Sequence, residues 1–84
     1  MNFSLEQLNT FVAVYEQQAF SKAAIKLNKH RTTVAQVITS LEDQLAITLF
    51  DRLSRSVEPT EDAVLLYHYA KQILEQAKTL IDLH

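Results

Sequence analysis

Phe20-Ser21-Lys22-Ala23-Ala24-Ile25-Lys26-Leu27-Asn28-Lys29-His30-Arg31-Thr32-Thr33-Val34-Ala35-Gln36-Val37-Ile38 decides the fold. Ala23, Ala24 and Leu27 share one helical face, and Ser21 is a candidate cap. Phe20 before that cap and Ile25 four positions after it have the spacing of a hydrophobic staple. A short helix is therefore expected over about 22–28. Asn28, Lys29 and His30 interrupt the apolar pattern. It resumes with Val34, Val37, Ile38, Leu41 and Leu45, predicting a longer helix that starts near Thr32 or Thr33. Two helices joined by about 3–4 polar residues have the spacing of a DNA-binding helix-turn-helix. The second would show Arg31, Thr32, Thr33, Gln36, Thr39 and Ser40 outward.

On the N-terminal side, Ser4 and Gln7 form a capping-box pair. Leu5, Leu8, Phe11, Val12 and Tyr15 follow with helical spacing, so a first helix is expected over about 5–17. On the C-terminal side, residues 49–60 read as two very short strands around a basic tip, with Pro59 ending the second. Thr60 can cap a helix whose third position is Ala63. That last helix carries three series with a seven-residue repeat: Ala63, Ala70 and Ala77; Leu66, Ile73 and Leu80; Tyr67, Leu74 and Ile81. An alanine seam flanked by aliphatic residues lets two helices approach closely. Part of the stripe could pack on the first helix instead. A helix of about 23 residues spans about 34 Å, however, longer than the small head before it. Ala63, Leu66, Ala70, Ile73, Ala77 and Leu80 are accordingly the expected dimerisation residues of a homodimer. The expected fold is mainly α: a winged helix-turn-helix head over 1–60 and a dimerising linker helix over 61–84.

The chain has 84 residues, 48% of them hydrophobic, which suffices for one small domain. It contains no cysteine and no glycine. A disulfide framework, a thiolate metal site and a glycine-rich phosphate loop are thereby excluded. Nothing approaches the roughly 18 consecutive apolar residues of a membrane span, and the N-terminus lacks a signal-peptide pattern. A cytoplasmic location and no membrane partner are expected. His68 has Lys71 and Gln72 one turn away, which offer neither a metal partner nor an orienting acid. No catalytic residue, metal ligand or cofactor is expected.

The net charge of −2 argues against nucleic acid only until its distribution is read. Lys22, Lys26, Lys29 and Arg31 fall in a stretch with no acid between Glu16 and Glu42. Phosphate binding follows the local potential at the contacting face, not the total. Ser21 and Lys22 stand where helix N-terminal amides would hold a phosphate. Arg52 and Arg55 are candidates for wing contacts; Arg52 has the alternative of pairing with Glu42. Lys29 and His30 have the solvent-facing charge of a turn as their default, with a phosphate contact as the alternative for Lys29.

Leu8-Asn-Thr-Phe11-Val12, Ala19-Phe20-Ser21-Lys-Ala23-Ala24, Leu27, Ile38-x-x-Leu41-Glu42-x-x-Leu45 and Leu49-Phe50-x-Arg52 together resemble the N-terminal domain of LysR-type transcriptional regulators. The resemblance runs from about residue 5 to 84. It implies a sequence-specific reader of double-stranded DNA that binds an interrupted inverted repeat as a dimer. It also places Arg31, Thr32, Thr33 and Gln36 on the base-contacting surface. Arg31 could pair bidentately with guanine, Gln36 with adenine or a phosphate, and the threonines with phosphates and thymine methyls. Family members are usually several times longer, with an effector-sensing domain after the linker helix. The chain is therefore expected to be either an isolated head or a piece cut in the linker helix, with an effector ligand only where such a C-terminal domain exists. The family commonly has glycine at the positions of Ala19, Ala46 and Ala63, an apolar residue at Lys29, serine at Ala35 and glutamine at Arg31. Alanine at a left-handed helix end costs on the order of 1 kcal/mol, so either the turn after Leu45 is remodelled or some strain is accepted there. The alternative to a DNA reader is a truncated module that dimerises with a partner without reading DNA.

Overall fold

Ser4 opens the first helix as its composition demands. Its hydroxyl accepts from the Gln7 amide (3.1 Å), and the Gln7 side chain accepts from the Ser4 amide (2.7 Å). The computed structural model describes residues 3–52 and 57–83. Within them, α1 (Leu5–Gln17), α2 (Phe20–Leu27) and α3 (Arg31–Leu45) precede β1 (Phe50–Asp51), β2 (Glu58–Pro59) and α4 (Glu61–Asp82). α1 packs against α2, α3 and α4, which explains why Leu8, Phe11, Val12, Ala13 and Val14 are all buried. An amphipathic surface helix buries one stripe; a helix enclosed by three others buries more. Val34, Ile38 and Leu41 of α3, with Leu49 and Phe50 beyond it, complete the core.

Two boundaries differ from the sequence reading. α2 begins at Phe20, with Ala19 as an extended cap that makes no side-chain bond (φ −162°). This earlier start places Phe20, Ala23 and Ala24 in the core and Leu27 against it. Ser21 therefore lies inside the first turn and caps nothing. Ile25, the expected staple residue, is 81% exposed. The ring of Phe20 packs edge-on to Phe50 instead (6.2 Å between centroids). α3 likewise begins at Arg31, one or two residues before the expected start at Thr32 or Thr33, with His30 as a cap that makes no side-chain bond.

Without glycine, three of the described residues take left-handed conformations: Gln18 (φ 57°), Asn28 (φ 55°) and Ala46 (φ 57°). Asn28 closes α2, where the Lys29 amide donates to the Ala24 carbonyl (2.9 Å). Asparagine tolerates this region better than most residues. Ala46 closes α3 with no such tolerance. Of the three alanines at expected glycine positions, it alone is strained, since Ala19 is extended and Ala63 is helical. The left-handed cost of about 1–2 kcal/mol exceeds the roughly 0.4–1 kcal/mol by which glycine loosens the unfolded chain. Ala46→Gly is therefore expected to stabilise the protein by about 0.5–1 kcal/mol, a rise of a few degrees in melting temperature. Thermal denaturation followed by circular dichroism measures it, and a lowered melting point would contradict the strained cap.

β1 and β2 pair antiparallel, Phe50 opposite Pro59 and Asp51 opposite Glu58. Glu42 anchors the base of this wing: its carboxylate accepts from the Leu49 amide (2.7 Å) and from Arg52 (3.0 Å). Thr60 ties the far strand back, donating to the Thr48 carbonyl (2.6 Å), while its oxygen accepts from Ala63 N–H (3.2 Å) to start α4.

α4 corrects part of the expected dimer seam. Ala63 and Ala70 are 0% exposed inside this one chain, and Leu66, Tyr67 and Leu74 pack against the same core. The small alanines let α4 lie close to α1, so these two cannot also meet a second copy. Ile73, Leu80, Ile81 and Leu83 remain exposed, as do Leu65 and Tyr69. No helix among the described residues is long and apolar enough to cross a membrane.

Candidate nucleic-acid interface

The first two turns of α3 carry Arg31, Thr32, Thr33 and Gln36, all exposed. Val34, Ile38 and Leu41 on the opposite side are buried at 0% exposure, so helical periodicity turns these four side chains outward. Thr32, Thr33 and Gln36 make no side-chain hydrogen bond to any other described residue. A shallow surface of Thr32, Ala35, Gln36, Thr39, Ser40 and Asp43 continues the face. Asp43 is the acid that limits its extent toward the helix C-terminus. Ser21 and Lys22 stand exposed in the first turn of α2, again without a described hydrogen-bond partner.

Phe20 gives the face its order, a role the sequence reading missed by assigning it to a staple. The Arg31 guanidinium lies over its ring at 5.8 Å from the centroid, and that of Arg52 at 5.2 Å. A cation over an aromatic face within about 6 Å is held by the ring quadrupole. One buried phenyl ring thus touches the start of α3 and the root of the wing. Arg52 has the structural partner that was its alternative: Glu42 at 3.0 Å, with Thr39 at 3.4 Å. Arg55, expected as the tip contact, lies outside the described residues, as does His84.

The remaining basic residues divide. Lys29 pairs with Glu6 across the turn (2.7 Å), so it is not simply a solvated charge. That bond holds the Glu6 carboxyl below its ordinary value. Lys26 lies 3.8 Å from Glu16, and Lys71 of α4 lies 3.5 Å from the same carboxylate. Lys22 and Arg31 make no ion pair with a described acid. The starts of α2 and α3 therefore carry cations without an acidic partner among the described residues, although the chain total is negative. No group of three or more His, Cys, Asp or Glu able to hold a metal occurs among the described residues.

A helix-turn-helix whose second helix presents an exposed polar row, braced by a two-stranded wing, defines the class: a winged helix-turn-helix domain of the DNA-binding type. Residues 5–64 match the family described as bacterial regulatory helix-turn-helix protein, lysR family, and the chain belongs to that family. The transcriptional regulator AceR of Acinetobacter baumannii is 45% identical over 74 residues, covering 88% of this chain and 25% of AceR. BenM of Acinetobacter baylyi is 37% identical over 79 residues, covering 94% of this chain and 26% of BenM. The chain thus spans about a quarter of the length of these regulators. Among solved structures, the BenM DNA-binding domain complexed with catB site 1 DNA superposes with a TM-score of 0.93 at 36% identity, covering 96% of this chain and 90% of that one. Full-length OxyR C199D from Pseudomonas aeruginosa has a TM-score of 0.94 at 27% identity, covering 98% and 28%.

Proposed function

We propose that this chain is the operator-reading head of a LysR-type transcriptional regulator. In this reading it recognises an interrupted inverted repeat in double-stranded DNA as a homodimer. The observation that carries the reading is the exposed polar row Arg31, Thr32, Thr33 and Gln36 at the start of α3, whose side chains make no hydrogen bond or ion pair with another described residue. The start of a recognition helix enters the major groove first. There Arg31 would take a guanine edge and Gln36 an adenine or a phosphate, with the threonine hydroxyls on phosphate oxygens. Ser21 and Lys22 would hold the backbone beside the N-terminus of α2. The wing at 50–58 would lie on flanking backbone. Residues 1–60 read the DNA and 61–84 join two copies, in the cytoplasm and without catalysis. The similarity to a BenM domain crystallised on its DNA supports this reading.

Selection of bound sequences from random DNA, followed by binding at fixed salt, tests it. Arg31→Ala is expected to weaken operator binding by about 1–3 kcal/mol and to relax preference at one base pair. Unchanged affinity and preference would remove Arg31 from the interface. Affinity for the selected operator should also fall steeply with salt as counterions are released. The net charge of −2 favours one second reading, a dimerising module that does not read DNA. Failure to enrich any sequence at low salt would support it.

A further inference from the structure

The direction of α4 relative to the helix-turn-helix depends on few directional contacts. Ala63 and Ala70 present only a Cβ to α1, and Leu66 and Leu74 add apolar contact. Such surfaces pack closely but resist rotation weakly. Beyond the Thr60 cap, which fixes where α4 starts, the directional contacts among the described residues gather at one place. The rings of Tyr67 and Tyr15 stack at 4.0 Å with 9° between their planes. The Tyr67 hydroxyl donates to Glu16 Oε2 at 2.6 Å, and Lys71 Nζ reaches the same oxygen at 3.5 Å. Lys26 Nζ, on α2, approaches the other oxygen, Oε1, at 3.8 Å. The two oxygens of one carboxylate therefore face different helices, α4 and the first helix of the helix-turn-helix. The Tyr67 hydrogen bond, more than either lysine, holds the Glu16 carboxyl below its ordinary value, and Tyr67 is raised in return.

We propose that Glu16 and Tyr67 are positioning residues: with the Tyr15 stack they fix the angle between α4 and the reading head, and so set which half-site separation the dimer accepts. This rests on the operator-reading dimer proposed above. The lever makes a small angle matter. From Tyr67 to Leu83, α4 rises about 24 Å, so a 10° rotation moves its end by about 4 Å. That exceeds the roughly 3.4 Å between successive base pairs. Held at its far end by a second copy, the helix would displace the head by a similar distance. Exposed ion pairs contribute little to stability. The expected effect is on geometry, and the fold survives the loss of the joint.

The test measures binding of the 84-residue chain to a selected operator whose spacer is lengthened and shortened one base pair at a time. An operator with one arm scrambled serves as the control. Wild type is expected to prefer its best spacer by about tenfold over neighbours one base pair away. Tyr67→Phe keeps the stack and loses the hydroxyl; Glu16→Gln keeps the shape and loses the charge. Each is expected to flatten the preference to about threefold or less while one-arm binding stays within about twofold. An unchanged spacer profile in both variants overturns the proposal and leaves the operator-reading dimer standing. So does a uniform loss at every spacer and at the single arm, the mark of a merely structural role. A wild-type protein indifferent to spacing overturns the dimeric reading, and the proposal with it.

Discussion

Phe11→Ala is expected to cost about 3–5 kcal/mol of folding stability, the range for emptying a buried phenylalanine site. Phe11 is 0% exposed at the middle of α1, the helix against which the other three pack. Its ring lies 5.6 Å from that of Phe50 and 6.0 Å from that of Tyr15. One side chain therefore supports both the wing root and the α1–α4 contact. The surroundings cannot collapse into the gap without moving a helix. Domains of this size are stable by about 4–13 kcal/mol, so the loss removes from about a quarter to the whole of the stability. Urea denaturation of the variant measures the loss. Ile25→Ala is the matched comparison: an aliphatic residue of α2 at 81% exposure should change stability by less than about 0.5 kcal/mol. Equal midpoints for wild type and Phe11→Ala would falsify the core as described.

Much of this fold was legible because its helix starts carry chemical signatures. Ser4 with Gln7, and Thr60 with Ala63, announce α1 and α4 through groups that make the expected bonds. α2 has no such signature. Its cap is Ala19, and its first residue, Phe20, suits both a staple before the helix and a core position inside it. The sequence pattern chose the first, and burial of the ring against Phe50 enforces the second. The family resemblance marked Ala46 as a place where either the turn is remodelled or strain is accepted, and its left-handed conformation is the second of these. Local cost is readable from local sequence; tertiary partnership is not. Glu16 and Tyr67 are separated by 51 positions, and nothing near either predicts the other. The choice for Arg52 between Glu42 and DNA was equally beyond spacing, since both partners suit a guanidinium. The seven-residue alanine series was real, but such a repeat has the same appearance whether the facing helix belongs to the same chain or to another copy. Ala63 and Ala70 face α1, and the surface left for a partner lies to one side of them.

That remaining surface makes the second large prediction. Leu65 (57% exposed), Tyr69 (53%), Ile73 (38%), Leu80 (63%) and Leu83 (74%) fall within about a quarter turn of one another at 3.6 residues per turn. An apolar row rimmed by polar residues marks an interaction surface. In a two-fold symmetric pair each residue occurs twice. Full burial of such a side chain contributes about 1.5–3 kcal/mol, of which only part remains for Ile73, and a glutamate in its place adds the cost of an unpaired buried carboxylate. A single Ile73→Glu, present in both copies, should thus cost association about 3–6 kcal/mol, roughly 10²- to 10⁴-fold in the dimer dissociation constant. Leu80→Glu should act similarly, and either should lower operator affinity without changing the melting point of the head by more than a few degrees. Val64 supplies the control: it is 52% exposed but lies about 100° around the helix from Leu65. Val64→Glu should leave the dimer intact. Sedimentation velocity on the three variants decides the face. Monomers from Val64→Glu together with dimers from Ile73→Glu and Leu80→Glu would move the partner to the opposite side of α4. In that case Ile73 and Leu80 would be solvent residues, and the direction fixed at Glu16 would present a different surface to the second copy.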